Sequence, residues 1–219
     1  MRMKRMAKIV SVFMASILLV LAAGCTSEKE EQKDTPPSSS PAENIAQVAD
    51  PYADPVHITI EMADGGLIKA ELYPNLAPKT VANFTKLVKE KFYNGLIFHR
   101  VISGFMIQGG GYDENLKPKE ADPIQGEFTN NGFENKLSHT RGVLSMARTN
   151  DPNSASSQFF IMHKDNPGLD NNYAAFGKVT EGLDVVDAIA ATETETITPK
   201  VMEDVPVTPQ IIKSISIDK

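Results

Sequence analysis

The stretch Phe98-His99-Arg100-Val101-Ile102-Ser103-Gly104-Phe105-Met106-Ile107-Gln108-Gly109-Gly110-Gly111 sets one arginine and one glutamine among apolar residues and closes on three glycines. Side chains of an extended chain alternate between two faces, so Arg100, Met106 and Gln108, at even spacing, would leave the same face. Gly104 interrupts the run, so two short strands joined by a bend fit it better than one long strand. Arg100 then has two readings. It is a charge on the solvent face of a barrel strand, or it is a functional group beside Met106 and Gln108. The flanking sequence has to decide.

Upstream, residues 56–62 (VHITIEM) alternate like a strand, Ala63-Asp64-Gly65-Gly66 reads as a hairpin turn, and residues 67–72 alternate again. Pro74 ends that strand, and Pro78 falls at a first helical position. Val81, Phe84, Leu87 and Val88 follow at helical spacing, which predicts an amphipathic helix to about Glu90. Asn94-Gly95 is a turn into the opening stretch, and Gly109-Gly110-Gly111 reads as a tight strand exit. No Gly-Lys-Ser/Thr follows those glycines to suggest phosphate binding. Downstream, residues 112–124, with Pro118 and Pro123, form a polar surface loop, and Asn130-Asn131-Gly132 is a turn. Residues 142–147, 158–162 and 176–179 read as strands, with a loop over 150–157. Leu183, Val186 and Ile189 suggest a second short helix, and Ile211, Ile215 and Ile217 a final strand. Many short strands with tight turns and only two helices indicate an all-β fold: a closed barrel with capping helices.

With those segments placed, the sequence resembles the cyclophilins, a family of peptidyl-prolyl cis-trans isomerases. FHRVISGFMIQGG (98–110) is similar to the family's first signature, GVLSMAR (142–148) and SASSQFFI (154–161) to its second and third blocks, and FGKV (176–179) to its fourth. The blocks keep the family's order and spacing across residues 55–219. The resemblance implies an eight-stranded antiparallel barrel closed by two helices, with a hydrophobic proline groove on its outer face. It implies that Arg100 is the catalytic arginine and that Phe105, Met106, Phe160 and Leu169 wall the proline pocket. Gln108 and the backbone of Arg148 would hydrogen-bond the substrate chain, and Ala147 and Gln158 would line the groove. Three positions depart from the family's pattern. Gly168 stands where many eukaryotic members carry the tryptophan associated with cyclosporin binding, which leaves sensitivity to that inhibitor open. Tyr173 replaces a histidine at the pocket edge, where it can still supply an aromatic wall, and Ser103 replaces a common proline.

The chemistry implied asks little of the side chains. Amide resonance sets a barrier of about 18–20 kcal/mol to X-Pro rotation. No bond is made or broken, so no nucleophile, metal, cofactor or general base is expected. A guanidinium that donates to the prolyl nitrogen, whose lone pair is released only on twisting, would stabilise the transition state over the planar ground state. Histidines therefore read as structural: His99 hydrogen-bonded, His139 structural likewise, and His57 and His163 alone without metal-ligand spacing. A peptide-holding module or a surface adhesin is the alternative class, but neither would need a guanidinium at position 100.

The N-terminus carries a different kind of information. Residues 1–8 are basic, and residues 9–23 (IVSVFMASILLVLAA) form a fifteen-residue apolar stretch, short for a membrane span and suited to a signal-peptide core. It runs into Leu21-Ala22-Ala23-Gly24-Cys25, similar to a bacterial lipobox whose cysteine is diacylated and becomes the mature N-terminus. The alternative is an ordinary secretory signal with Cys25 incidental. Residues 1–24 are thus expected to be a lipoprotein signal and 25–54, rich in Ser, Pro, Glu and Lys, a disordered tether, with a helical turn fitting residues 44–48. Residues 55–219 would be the isomerase domain. Cys25 is the only cysteine, so no internal disulfide can form. The first 24 residues hold Arg2, Lys4, Arg5 and Lys8 and no acid, so without them the net charge falls from −6 to −10. Such an acidic chain is unsuited to nucleic acid. The expectation is a monomer, lipid-anchored on the outer side of a bacterial cell membrane, acting on proline-containing polypeptides.

Overall fold

Alternation is legible from the first hairpin. In β1 (Val56–Met62), Ile58, Ile60 and Met62 are buried, and in β2 (Leu67–Leu72), Ile68, Ala70 and Leu72 are buried. Gly65, at φ 93°, closes the turn between them, with Met62 N–H donating to Gly66 O at 2.8 Å. The computed structural model describes residues 50–198 and 202–218. The expected signal segment, Cys25, the tether to residue 49 and the turn over 44–48 lie outside the described residues. Within 50–54, the Tyr52 ring stands edge-on to Tyr73 at 5.1 Å.

Helix α1 (Pro78–Lys89) starts on its proline and buries Val81, Phe84, Leu87 and Val88. Ala77, at its N-cap, has no side-chain acceptor. The fully buried Glu127 replaces it from 47 residues away, accepting from Lys79 N at 2.9 Å, Thr80 N at 2.8 Å and Thr80 Oγ1 at 2.8 Å. A carboxylate here meets orphan N–H groups at the positive end of the helix.

The chain continues through β3 (Leu96–Ile102), β4 (Met106–Asp113), β5 (Val143–Met146), β6 (Phe159–Met162), β7 (Ala175–Glu181), α2 (Leu183–Ala190), β8 (Thr194–Ile197), β9 (Met202–Pro206) and β10 (Gln210–Ile217). Eight strands close into a barrel in the order β1-β10-β3-β4-β6-β5-β7-β2, with every pairing antiparallel. This is the eight-stranded barrel with two helices expected from the sequence. Its interior is aromatic: Phe84 under α1 meets Phe159 edge-on at 5.3 Å and packs on Phe176 and Tyr93.

Two features differ from the expectation. The glycine run does not leave the sheet, because Gly109, Gly110 and Gly111 all lie inside β4. Gly110 has φ 83°, and a Cβ on Gly111 would stand 2.6 Å from the Gln158 side chain. Only glycine lets Gln158 lie this close to the strand. The second difference is the hairpin β8–β9, a separate two-stranded sheet between α2 and β10 in a segment the sequence left unassigned.

Candidate functional site

Barrel strands present one face inward and one outward. Ile107, Leu144, Phe159 and Ile161 join the interior core, whereas Met106, Val143, Phe160 and Met162 form a second apolar cluster on the outer face. Cross-strand register then aligns a row over four strands: Arg100 opposite Gln108, Gln108 opposite Phe160, and Phe160 opposite Ser145. The even spacing of Arg100, Met106 and Gln108 has become one surface. Gly104, at φ 76°, makes the bend between β3 and β4.

Over this row opens a cavity of about 140 Å³. Met106 and Phe160 form its floor, and Phe105, Leu169, Ala147 and Tyr173 surround it. Arg100, Gln108 and Arg148 supply its polar edge. Nine of the ten site residues expected from the sequence line this one space. The tenth, Gln158, accepts from Gln108 Nε2 at 3.0 Å and lines the adjoining depression with Thr149 and Ser154. Arg148 is held by its own side chain: Nε and Nη2 each donate to Asn172 O at 3.0 Å, Nη1 donates to Thr149 O at 2.8 Å, and the guanidinium lies over Tyr173 and Phe128. That fixes the aromatic wall Tyr173, which meets Phe160 edge-on at 5.8 Å. Gly168 sits exposed in a short 3-10 turn, Pro167–Leu169, beside the rim.

The floor rests on a hydrogen-bonded chain. His139 stacks on Phe160 with 6.0 Å between ring centres, its Nδ1 lies 2.9 Å from Asp170 Oδ1, and its Nε2 lies 2.9 Å from Ser145 Oγ. Serine, histidine and aspartate in such a chain resemble a hydrolytic triad, but Ser145 is fully buried and His139 is 1% exposed. No substrate reaches the serine oxygen, so the chain is a strut. Burial lowers the His139 pKa, against an upward pull from Asp170. Burial also works to raise Asp170, but hydrogen bonds from His139 outweigh it and hold the carboxyl below its ordinary value.

The other histidines depart from their expected surroundings. His99, expected to be hydrogen-bonded, is buried with no well-formed hydrogen bond at its Nδ1 among the described residues. Desolvation brings its pKa down to about 4, helped by the neighbouring Arg100 charge and opposed by weaker contacts with the Ile97 backbone and the Gln158 side chain. The strand bulges here, and the imidazole packs against Tyr112 with 4.7 Å between ring centres. His163, expected to stand alone, holds the bend that carries Phe105. Gly104 N–H donates to its Nδ1 at 2.8 Å, its own N–H donates to Phe105 O at 2.9 Å, and its Nε2 lies 3.1 Å from Asp187 Oδ1. Asp187 in turn receives Arg141 at 2.8 Å, which holds its carboxyl below the ordinary range. Among the described residues no group of His, Cys, Asp and Glu side chains is arranged to hold a metal.

The sequence reading missed one member of the site. Asp204 on β9 places Oδ2 3.5 Å from Arg100 Nε. Nothing in the polar run around it signalled that role.

Residues 57–217 match the family described as cyclophilin type peptidyl-prolyl cis-trans isomerase/CLD. A peptidyl-prolyl cis-trans isomerase of Acinetobacter baylyi is 50% identical over 158 residues, covering 69% of this chain and 80% of the relative. Peptidyl-prolyl cis-trans isomerase B of Escherichia coli is 42% identical over 163 residues, covering 70% and 95% respectively. Among solved structures, a cyclophilin type peptidyl-prolyl cis-trans isomerase of Cryptosporidium parvum superposes with a TM-score of 0.62 at 28% identity, covering 75% of this chain and 98% of that one.

Proposed function

This chain belongs to the cyclophilin-type peptidyl-prolyl cis-trans isomerase family and is an isomerase of X-Pro bonds, and from that premise we propose that Arg100 and the cavity beside it do the work. The observation that carries this reading is the position of the Arg100 guanidinium at the edge of an apolar cavity, directly across the ladder from Gln108. A pyrrolidine ring seated on Met106 and Phe160, between Phe105, Leu169 and Tyr173, is desolvated and held still. Gln108 and the Arg148 backbone, with Ala147 and Gln158 lining the approach, hold the chain on one side of the prolyl bond while the other side turns. In the planar ground state the nitrogen lone pair is tied up in resonance and attracts the guanidinium weakly. As the bond twists the lone pair is released, and the hydrogen bond from Arg100 strengthens in the transition state alone. Arginine suits the task because it stays charged at every working pH.

The clients, in this reading, are proline-containing polypeptides being folded outside the cytoplasm. Support for the location is the sequence of residues 1–25: a basic start, an apolar core and Leu21-Ala22-Ala23-Gly24-Cys25. Cys25 would carry the lipid, residues 25–54 would tether a monomeric domain spanning 55–219, and the membrane would be a bacterial cell membrane. A mass spectrum of the mature N-terminus tests this part: an acylated Cys25 is expected, and an unmodified terminus at another residue overturns it. Exchange NMR of an Xaa-Pro peptide with the full chain tests the site. Accelerated cis-trans exchange is expected, with peptide-induced shifts at Phe105, Phe160 and Tyr173. Acceleration with shifts confined to another face would overturn the assignment.

A further inference from the structure

We propose that Asp204 is a positioning residue for Arg100, an inference that rests on the reading of Arg100 as the donor to the prolyl nitrogen. Arg100 is 41% exposed on a long flexible side chain, and among the described residues its one ion-pair partner is Asp204, 3.5 Å from Nε. The carboxylate lies on the Nε edge of the guanidinium and leaves both terminal nitrogens as the donors available to a substrate. Fixing Nε also fixes the plane in which those donors lie, because the guanidinium is rigid and planar.

The local backbone is built around this contact. Asp204 lies outside the barrel, on the hairpin β8–β9. The hairpin register slips: Glu195 faces Val205 and Ile197 faces Met202, so two steps on β8 are matched by three on β9. Asp204 falls in the slip, with φ 58°. Aspartate is among the few residues besides glycine that adopt this conformation, and bulges of this kind re-aim a side chain. Val205, next to it, is buried at 4% exposure and anchors the strand. Asp204 thus sits in the bulge, pinned by its buried neighbour, with its carboxylate against Arg100 and not against Arg148, the other arginine at the cavity edge. The pair itself does little for folding. Both partners are more than a third exposed, and exposed ion pairs contribute little to stability. A contact with little value to stability, made where a bulge re-aims the side chain, fits a role in orientation.

The test uses variants that tolerate the left-handed backbone. Asp204→Gly in the full chain removes the carboxylate and keeps the left-handed backbone accessible. It is expected to lower kcat/KM roughly tenfold, mostly in kcat, with the thermal midpoint unchanged or raised, since small misplacements of a catalytic group lose up to about a hundredfold. Asp204→Asn keeps an oxygen for Nε and is expected to recover most of that loss. In an Arg100→Ala background Asp204→Gly is expected to do nothing further. Normal kcat for Asp204→Gly, an Asn variant no better than Gly, or an equal loss in the Arg100→Ala background each overturns the inference. Near-normal activity of Arg100→Ala alone overturns instead the reading on which it rests.

Discussion

His99 stores a measurable share of stability in its neutral form. It is 4% exposed, its Nδ1 has no well-formed acceptor for a second proton among the described residues, and Arg100 is its chain neighbour. Burial lowers its pKa from the model-compound value of 6.5 to about 4. The unfolded chain therefore binds a proton more readily than the folded one. The stabilisation is fully present above about pH 6.5 and is lost as the pH falls towards and through about 4. At 1.36 kcal/mol per unit, the shift corresponds to about 3 kcal/mol, a large part of a typical total of about 5–15 kcal/mol. Carboxylates held low, such as Asp170 and Asp187, lose their contribution only below their ordinary value of 3.8, so they act beneath this window. His139, also lowered by burial, adds to the same window. His99→Gln keeps a polar side chain and removes the titration. Urea unfolding of both proteins across the window is expected to show the parent losing about 3 kcal/mol more than the variant between neutral pH and about pH 4. Parallel curves, or a His99 ring resonance titrating near its ordinary value, would refute the reasoning.

Glu127→Gln places an amide where a fully buried carboxylate accepts three hydrogen bonds at the start of α1. Calorimetry is expected to show a loss of about 2–4 kcal/mol, which is roughly 5–15 °C in a domain of this size. Activity per folded molecule should be unchanged, and an unshifted midpoint would contradict the capping role. His163→Ala removes the acceptor for Gly104 N–H and loosens the bend carrying Phe105. KM for an Xaa-Pro peptide is expected to rise about 3–10-fold through a misplaced pocket wall, with amide relaxation showing new motion at Gly104 and Phe105; an unchanged KM with a rigid bend would count against it.

The part of this molecule written in local pattern was readable. Ile58, Ile60, Ile68 and Leu72 alternate cleanly into the core, and Arg100, Met106 and Gln108 keep their even spacing through a two-strand bend because Gly104 turns without shifting the face. What escaped depends on distant partners. Gly109–111 look like a strand exit until Gln158, brought in on β6's edge, is seen to need the space a Cβ would fill. Nothing in the local pattern marks Glu127 as the cap of α1, whose uncapped start reaches it from a distant part of the chain. The strand β8 is exposed at Thr194, Glu195 and Thr196, so it has no alternation to detect. Asp204 belongs to the site only through the register slip of that hairpin. Its sequence neighbourhood carries no trace of the contact.

If Arg100 supplies a hydrogen bond made chiefly in the twisted state, its removal must cost turnover and little else. The most direct measurement is the cis-trans exchange rate of an Xaa-Pro peptide with the parent chain and with Arg100→Ala, read by NMR alongside the unfolding midpoint of each. Removing one preorganised donor of this kind lowers turnover by about 10²–10³, and that fall is expected here with peptide binding and the midpoint nearly unchanged. An Arg100→Ala protein that accelerates exchange at close to the parent rate would contradict it.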